Sequence, residues 1–298
     1  AIIGGEEICA APFFEVRDPT NDSVVAQVTQ CTPDHLETAV QSAHRAFPLW
    51  AGLSAGERES TLLRFATVVD ANKESLIDLL VAESGSTLIK AQFEVSKSAQ
   101  LIRTAAGEAR RLYGETFPND KPHRMSMVVR EPIGVVAAIS PFNAPLALLA
   151  KMTLFALAAG NTIVAKPSEL TPLCAIRFAQ LALEAGIPPG VLNIINGPGP
   201  ECGEPLARHP LVRGLSFTGS TAVGSHLGSI ATASMKRLQL ELGGKNPLII
   251  LDDFDPKKAA EIACQGGFTH AGQICMASNK VIVQREIYDE FCAHFKKQ

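Results

Sequence analysis

The chain has 298 residues, 46% of them apolar and 19% charged, enough to build one large α/β core or two ordinary ones. A formal net charge of -3 and a pI near 6.2 give no basic field for nucleic acid, and no dense Lys/Arg stripe occurs along the chain. The apolar stretch from Pro145 to Ala159 is broken by Lys151 and falls short of the roughly 18 residues a membrane helix needs, and Glu6 and Glu7 interrupt the amino terminus where a signal peptide would be apolar. A soluble, cytoplasmic protein without nucleic-acid or membrane partners is the expectation.

In chain order, two extended runs come first, Phe13 to Val16 and Val24 to Val28, separated by the turn-forming cluster Asp18-Pro19-Thr20-Asn21-Asp22. Thr32 before Pro33 reads as an N-cap opening a helix to about Phe47, and Ser54 with Glu57 as a capping box opening another to about Asp70. Two further helices are predicted near 73–84 and 87–112. Between Gly114 and Arg130 the pattern turns polar and extended, as in a projecting hairpin. From Ile133 onward apolar strands alternate with helices: Val135 to Ile139, helix 145–159, Thr162 to Ala165, helix 172–185, Val191 to Ile195 and helix 200–208. Leu215 to Phe217, a helix from about 220, Leu238 to Glu241 and Leu248 to Leu251 continue the series, and a helix from Glu286 to Lys297 ends it. Such alternation predicts a parallel sheet covered on both faces, with ligands at the carboxyl ends of its strands.

Seven cysteines, at 9, 31, 174, 202, 264, 275 and 292, form no CxxC pair, so most read as small buried hydrophobes of a reducing compartment. The seven histidines show no HExxH, and no metal site can be named. Gly197-Pro198-Gly199-Pro200-Glu201-Cys202-Gly203 imitates a dinucleotide fingerprint but carries Cys202 where the third glycine should stand. A better phosphate candidate is Phe217-Thr218-Gly219-Ser220-Thr221-Ala222-Val223-Gly224. There a strand ends in a small-residue turn, and the free N–H groups of the helix start suit a pyrophosphate, with the Ser220 hydroxyl as an extra donor.

Five separated motifs, SPFNAP at 140–145, AKPSELTP at 165–172, FTGSTAVG at 217–224, ELGGK at 241–245 and GQICMA at 272–277, resemble those of the aldehyde dehydrogenase superfamily in order and spacing. The resemblance covers the whole chain. It implies an α/β aldehyde dehydrogenase fold with a Rossmann-like parallel sheet, truncated at its carboxyl end 23 residues after Cys275. The implied parts are strands and helices of the cofactor-binding domain at 1–113, an oligomerisation hairpin at 114–132, the dinucleotide-binding domain at 133–243 and an incomplete catalytic domain at 244–298.

The family's chemistry gives each motif a task. A thiolate attacks the aldehyde carbonyl, and Cys275 matches the family's nucleophile. The resulting oxyanion needs preorganised donors, for which Asn143 and the Cys275 N–H are the candidates. Hydride then passes to nicotinamide, and the thioester left behind needs a base to activate water, the role Glu241 resembles. Lys166 and Glu169 match positions that hydrogen-bond the adenosine ribose, so that NAD is expected over NADP, which a carboxylate at 169 would repel. Ser168 and Phe142, with Gly219, Ser220 and Gly224, complete the cofactor-binding set. His270, five residues before Cys275, has no counterpart as a catalytic imidazole in the family. FNAPLALLAKMT, Met276 and the small Ala144 beside Asn143 resemble the salicylaldehyde, benzaldehyde and vanillin dehydrogenases, so an aromatic aldehyde is the expected substrate. A semialdehyde is the alternative, and a truncated nucleotide-binding remnant the alternative from another class. A homo-oligomer, dimer or tetramer, is expected where the rest of the catalytic domain is present.

Overall fold

Residues 1–298 are described by a computed structural model and divide into two units, Ala1–Glu241 and Leu242–Gln298. No helix is long and apolar enough to cross a membrane.

The first unit opens with two short strands, β1 (Ile2–Ile3) and β2 (Glu6–Glu7), and the antiparallel pair β3 (Phe13–Arg17) and β4 (Val24–Thr29). Four helices follow: α1 (Pro33–Ala51), α2 (Ala55–Ala71), α3 (Lys73–Ser84) and α4 (Leu88–Glu108). Both expected caps are present. Thr32 accepts from the His35 N–H while the His35 ring accepts from the Thr32 N–H, and Ser54 and Glu57 make the reciprocal pair at α2. One expectation fails in detail. α1 continues past Phe47 and through Pro48, because Trp50 is fully buried and its indole N–H donates to Leu157 O at 2.9 Å. A proline late in a helix costs a backbone bond, and here that tertiary anchor outweighs it. The polar stretch 114–130 forms the hairpin of β5 (Glu115–Phe117) and β6 (Ser126–Val128).

The strand-helix alternation then unfolds as β7 (Val135–Ile139), α5 (Pro145–Ala158), β8 (Thr162–Lys166), α6 (Leu173–Glu184), β9 (Leu192–Ile194), α7 (Glu204–Arg208), β10 (Val212–Thr218), α8 (Thr221–Ala233) and β11 (Arg237–Glu241). The expected helix 200–208 begins as a π-turn over Gly199–Gly203 and becomes α-helical only at Glu204. The sheet order is β11-β10-β7-β8-β9-β1-β2, with β7 to β11 mutually parallel and the β1–β2 hairpin added antiparallel beside β9. The helices pack in two groups, α5 with α6 on one face and α7 with α8 on the other. β7 and β8 are buried along their whole length, as a sheet covered on both faces requires. α2 and α4 form an outer layer behind α5, with Phe65 and Phe178 in contact at 4.8 Å between ring centres.

This order is that of a doubly wound fold, and its direction reverses between β7 and β10. A reversal opens a crevice at the carboxyl ends of the two strands, because the loops leaving them diverge to opposite faces.

The second unit consists of β12 (Asn246–Ile250), α9 (Pro256–Phe268), β13 (Ser278–Val283) and α10 (Tyr288–Phe295), with β12 and β13 parallel. Its small core gathers Ile250, Ala259, Ala260, Ala263 and Phe291, with Phe295 stacked on Phe291 at 5.5 Å. Ile249, Leu251 and Ile262 are exposed and line a groove of about 270 Å³.

Candidate active site

The carboxyl ends of β7, β8, β10 and β11, and the loops leaving them, carry the expected site residues of the first unit. After β7 comes Ser140-Pro141-Phe142-Asn143-Ala144, with Asn143 half-buried and Phe142 39% exposed. The loop is tied to the neighbouring strand by the Ser140 N–H, which donates to Lys166 O at 3.0 Å.

Lys166, the last residue of β8, is buried, with only 3% of its side chain exposed. Its ammonium donates to Pro167 O at 2.6 Å and pairs with Glu169 Oε2 at 3.4 Å, leaving the Glu169 carboxylate about half exposed at the rim. Burial pushes the Lys166 ammonium below its ordinary range, and the adjacent Glu169 carboxylate opposes that shift. Ser168 is turned inward on its own loop, its hydroxyl accepting from the Leu170 N–H at 3.3 Å. The false fingerprint has a packing role. A Cβ at Gly197 would lie 2.6 Å from Cys202 Sγ, and Gly203 lies against the Lys166 stem, so these glycines admit side chains and not a phosphate.

Across the crevice, Gly219 and Ser220 turn β10 into α8. A Cβ at Gly219 would sit 2.5 Å from the Phe217 ring, which explains the glycine. Ser220 is the N-cap, its oxygen accepting from the Val223 N–H at 3.3 Å, so the hydroxyl hydrogen can still be donated. Gly224 lies buried one turn on, its N–H bonded to Ser220 O at 2.9 Å. Of the helices that start at this edge, α5 and α6 are already occupied by buried carboxylates. Glu94 accepts from Leu146 and Ala147 at the start of α5, and Glu83 from Leu173 and Cys174 at the start of α6. Only a hydroxyl caps α8, whose exposed first turn suits an anion from outside. The polar groups at this edge could hold a dinucleotide.

Glu241 ends β11 beside that turn. It is paired in register with Thr218, its carbonyl accepts from the Gly219 N–H at 3.0 Å, and its exposed carboxylate lies 3.8 Å from Lys151 Nζ.

In the second unit, Cys275 is exposed, whereas Cys31, Cys174 and Cys202 are buried. The turn before it is strained, because His270, Ala271 and Gly272 are successive left-handed residues with φ of 52°, 54° and 73°. A non-glycine residue in that region costs about 1–3 kcal/mol, and such strain collects at functional turns. The Cys275 carbonyl accepts from Asn246 Nδ2 at 2.8 Å, and a Cβ at Gly244 would come within 3.1 Å of the same oxygen. The second glycine of ELGGK is therefore what lets this backbone pass beneath the thiol-bearing loop.

The family model described as "Aldehyde dehydrogenase family" matches residues 9–298. The chain belongs to the aldehyde dehydrogenase family. Among family members, it is 42% identical to the mitochondrial succinate-semialdehyde dehydrogenase of Arabidopsis thaliana over 284 residues, 95% of this chain and 54% of that one. It is 39% identical to the succinate-semialdehyde dehydrogenase of Escherichia coli K12, whose name specifies NADP(+), over 98% of this chain and 61% of that one. The crystal structure of an NAD-dependent aldehyde dehydrogenase from Sinorhizobium meliloti superposes with a TM-score of 0.96 at 36% identity, covering 99% of this chain and 60% of that one. The chain thus spans between about half and three fifths of these relatives. Neither named relative supports the aromatic substrate expected from the FNAPLALLAKMT stretch. A loop motif and one small residue say little about a pocket built from many elements, and the semialdehyde alternative is the better match.

Buried carboxylates were the signal that motif reading passed over. Glu94 stands on the apolar stripe Ala91, Val95, Ala99 and Ile102, and Glu83 on the stripe Leu76, Leu80. A charge inside a helical apolar stripe must be paired or hydrogen-bonded, and that much is legible in a sequence.

Proposed function

We propose that the protein oxidises a semialdehyde, an aldehyde carrying a carboxylate at its far end, to the corresponding acid with NAD(P). The observation that carries this reading is that Asn143, Lys166, Glu169, Ser220 and Glu241 all lie at the carboxyl edge of one sheet, in a chain that also exposes Cys275 on a strained turn. Cys275 would add to the aldehyde carbon, with Asn143 and the Cys275 N–H donating to the oxyanion. When bound, the nicotinamide cofactor supplies the hydride acceptor. Glu241 would take the proton of the water that hydrolyses the thioester. The Glu169 carboxylate would accept from a ribose 2'-hydroxyl and repel a 2'-phosphate, which favours NAD. Lys151, beside Glu241, adds a cation to the neighbourhood, which suits a substrate that brings a negative charge.

The test is NADH formation by the full-length protein with succinate semialdehyde and with benzaldehyde. The expected outcome is a kcat/KM at least tenfold higher for the semialdehyde, abolished by Cys275→Ala with NAD binding retained. Equal or better turnover of benzaldehyde would return the substrate to the aromatic class, and turnover surviving Cys275→Ala would end the thioester mechanism.

A further inference from the structure

Five helices carry a cap from their own N-terminal residue: Thr32, Ser54, Thr87, Ser220 and Asp255. The two that leave the loops bearing Asn143 and Lys166 do not. Ala144 and Pro172 stand at the N-cap positions of α5 and α6, and neither makes a side-chain cap bond. Helix starts buried without a partner are rare, because each free N–H taken from water must find an acceptor.

For α5 the acceptor comes from another helix. Glu94 of α4 is 2% exposed, and its Oε1 accepts from the Leu146 N–H at 2.9 Å and the Ala147 N–H at 3.1 Å. Its second oxygen lies 2.6 Å from Lys90 Nζ as an ion pair without hydrogen-bond geometry, and that ammonium donates instead to Ser86 Oγ at 2.8 Å. The carboxylate is thus hydrogen-bonded through one oxygen at the positive end of α5, with the charge of a cation one turn back on α4 balancing the other. Asn143 is separated from Leu146 only by Ala144 and Pro145, and the proline ring fixes the backbone between them. The first turn of α5 therefore sets where Asn143 begins.

We infer that Glu94 is the positioning residue for the oxyanion donor: paired with Lys90, it pins the first turn of α5 and so holds the backbone that presents Asn143. This rests on the proposed aldehyde-oxidising function. Glu94 is distant from the chemistry by role, acting through the α5 backbone, and it binds neither cofactor nor substrate. A displacement of about 1 Å in a catalytic group can cost on the order of 100-fold in rate, so a loosened turn should show in kcat.

The experiment is a double-mutant cycle on the full-length protein, measuring kcat, KM and the Kd for NAD. Glu94→Ala is expected to lower kcat roughly 10- to 100-fold with the Kd for NAD changed less than about threefold. Glu94→Gln, which keeps an acceptor oxygen, should recover part of the loss. In an Asn143→Ala background, Glu94→Ala should make little further difference, because the group it positions is gone. Losses that multiply in the double variant, or wild-type kcat in Glu94→Ala, would overturn the inference. Amide hydrogen exchange at Leu146 and Ala147 separates it from the functional reading. Faster exchange in Glu94→Ala is expected whether or not an aldehyde is turned over, and unchanged exchange overturns the anchoring itself. A wild-type protein that oxidises no aldehyde would instead sink the proposed function, and the role of Glu94 in catalysis with it.

Discussion

Under the proposed function, the choice of cofactor would come down to one side chain, Glu169. Its carboxylate is half exposed, anchored from behind by the buried Lys166 ammonium at 3.4 Å, so it faces outward with its charge in place. A ribose 2'-hydroxyl placed there gains a charge-assisted hydrogen bond, while a 2'-phosphate meets repulsion. Glu169→Ser should weaken NAD binding by about 1–3 kcal/mol and ease NADP entry. The measurement is the ratio of kcat/KM for the two cofactors, expected to narrow or invert. A ratio that does not move would remove Glu169 from the cofactor site. Glu169, Cys275, Asn143 and Glu241 stand out as candidates in the sequence because each sits inside a short motif whose chemistry depends on residue type. Glu94 and Glu83 sit in no motif, and their partners lie 52 to 91 residues away in sequence.

Among the elements, α6 depends on Glu83 as α5 depends on Glu94, with a different electrostatic consequence. Burial pushes the Glu83 carboxyl up to about 7, against the opposing pull of the Cys174 and Leu173 donors and with a further push from the nearby Glu94 charge. Lys90 pairs with Glu94 and not with Glu83, and the Cys174 thiol that faces Glu83 is itself driven upward by burial. A carboxyl raised in the folded state binds its proton more tightly there than in the unfolded chain, whose value is near 4.5. Its stabilising contribution is complete below about pH 4.5 and is lost as pH rises through about 7, a change of about 3 kcal/mol. Thermal melts of wild type and Glu83→Gln between pH 5 and 8 should show it: the wild type is expected to lose several degrees relative to the variant as pH rises. Parallel pH profiles for the two proteins would show that Glu83 does not titrate in this range. The element boundaries themselves were largely legible, since caps such as Thr32 and Ser54 act within one turn of helix. The exceptions have tertiary causes, among them the extension of α1 through Pro48 to bury Trp50.

For the molecule as a whole, the hairpin of β5 and β6 asks for a partner. Two strands of three residues are marginal alone in water, yet Tyr113, Phe117, Met125, Met127, Val128 and Val129 are all exposed around them. With the family resemblance, this supports assembly through the hairpin. Replacing residues 115–128 with a short Gly/Ser linker in the full-length protein should lower the mass seen by sedimentation toward that of one chain, and an unchanged mass would take the hairpin out of the interface. The amino-acid sequence by itself determined the strand-helix alternation from Ile133, most helix starts and which residues are candidates for the site. Periodicity, capping and turn chemistry act over a few residues and can be read along the chain. The strand order was decided only in three dimensions. It sets β10 beside β7 and so brings the Ser220 turn to the same sheet edge as the Asn143 loop, although α5, β8, α6, β9 and α7 intervene in sequence. Tertiary structure also decided which helix starts are filled by Glu94 and Glu83 and which stays open to a ligand, because those bonds join distant segments and depend on how the helices pack.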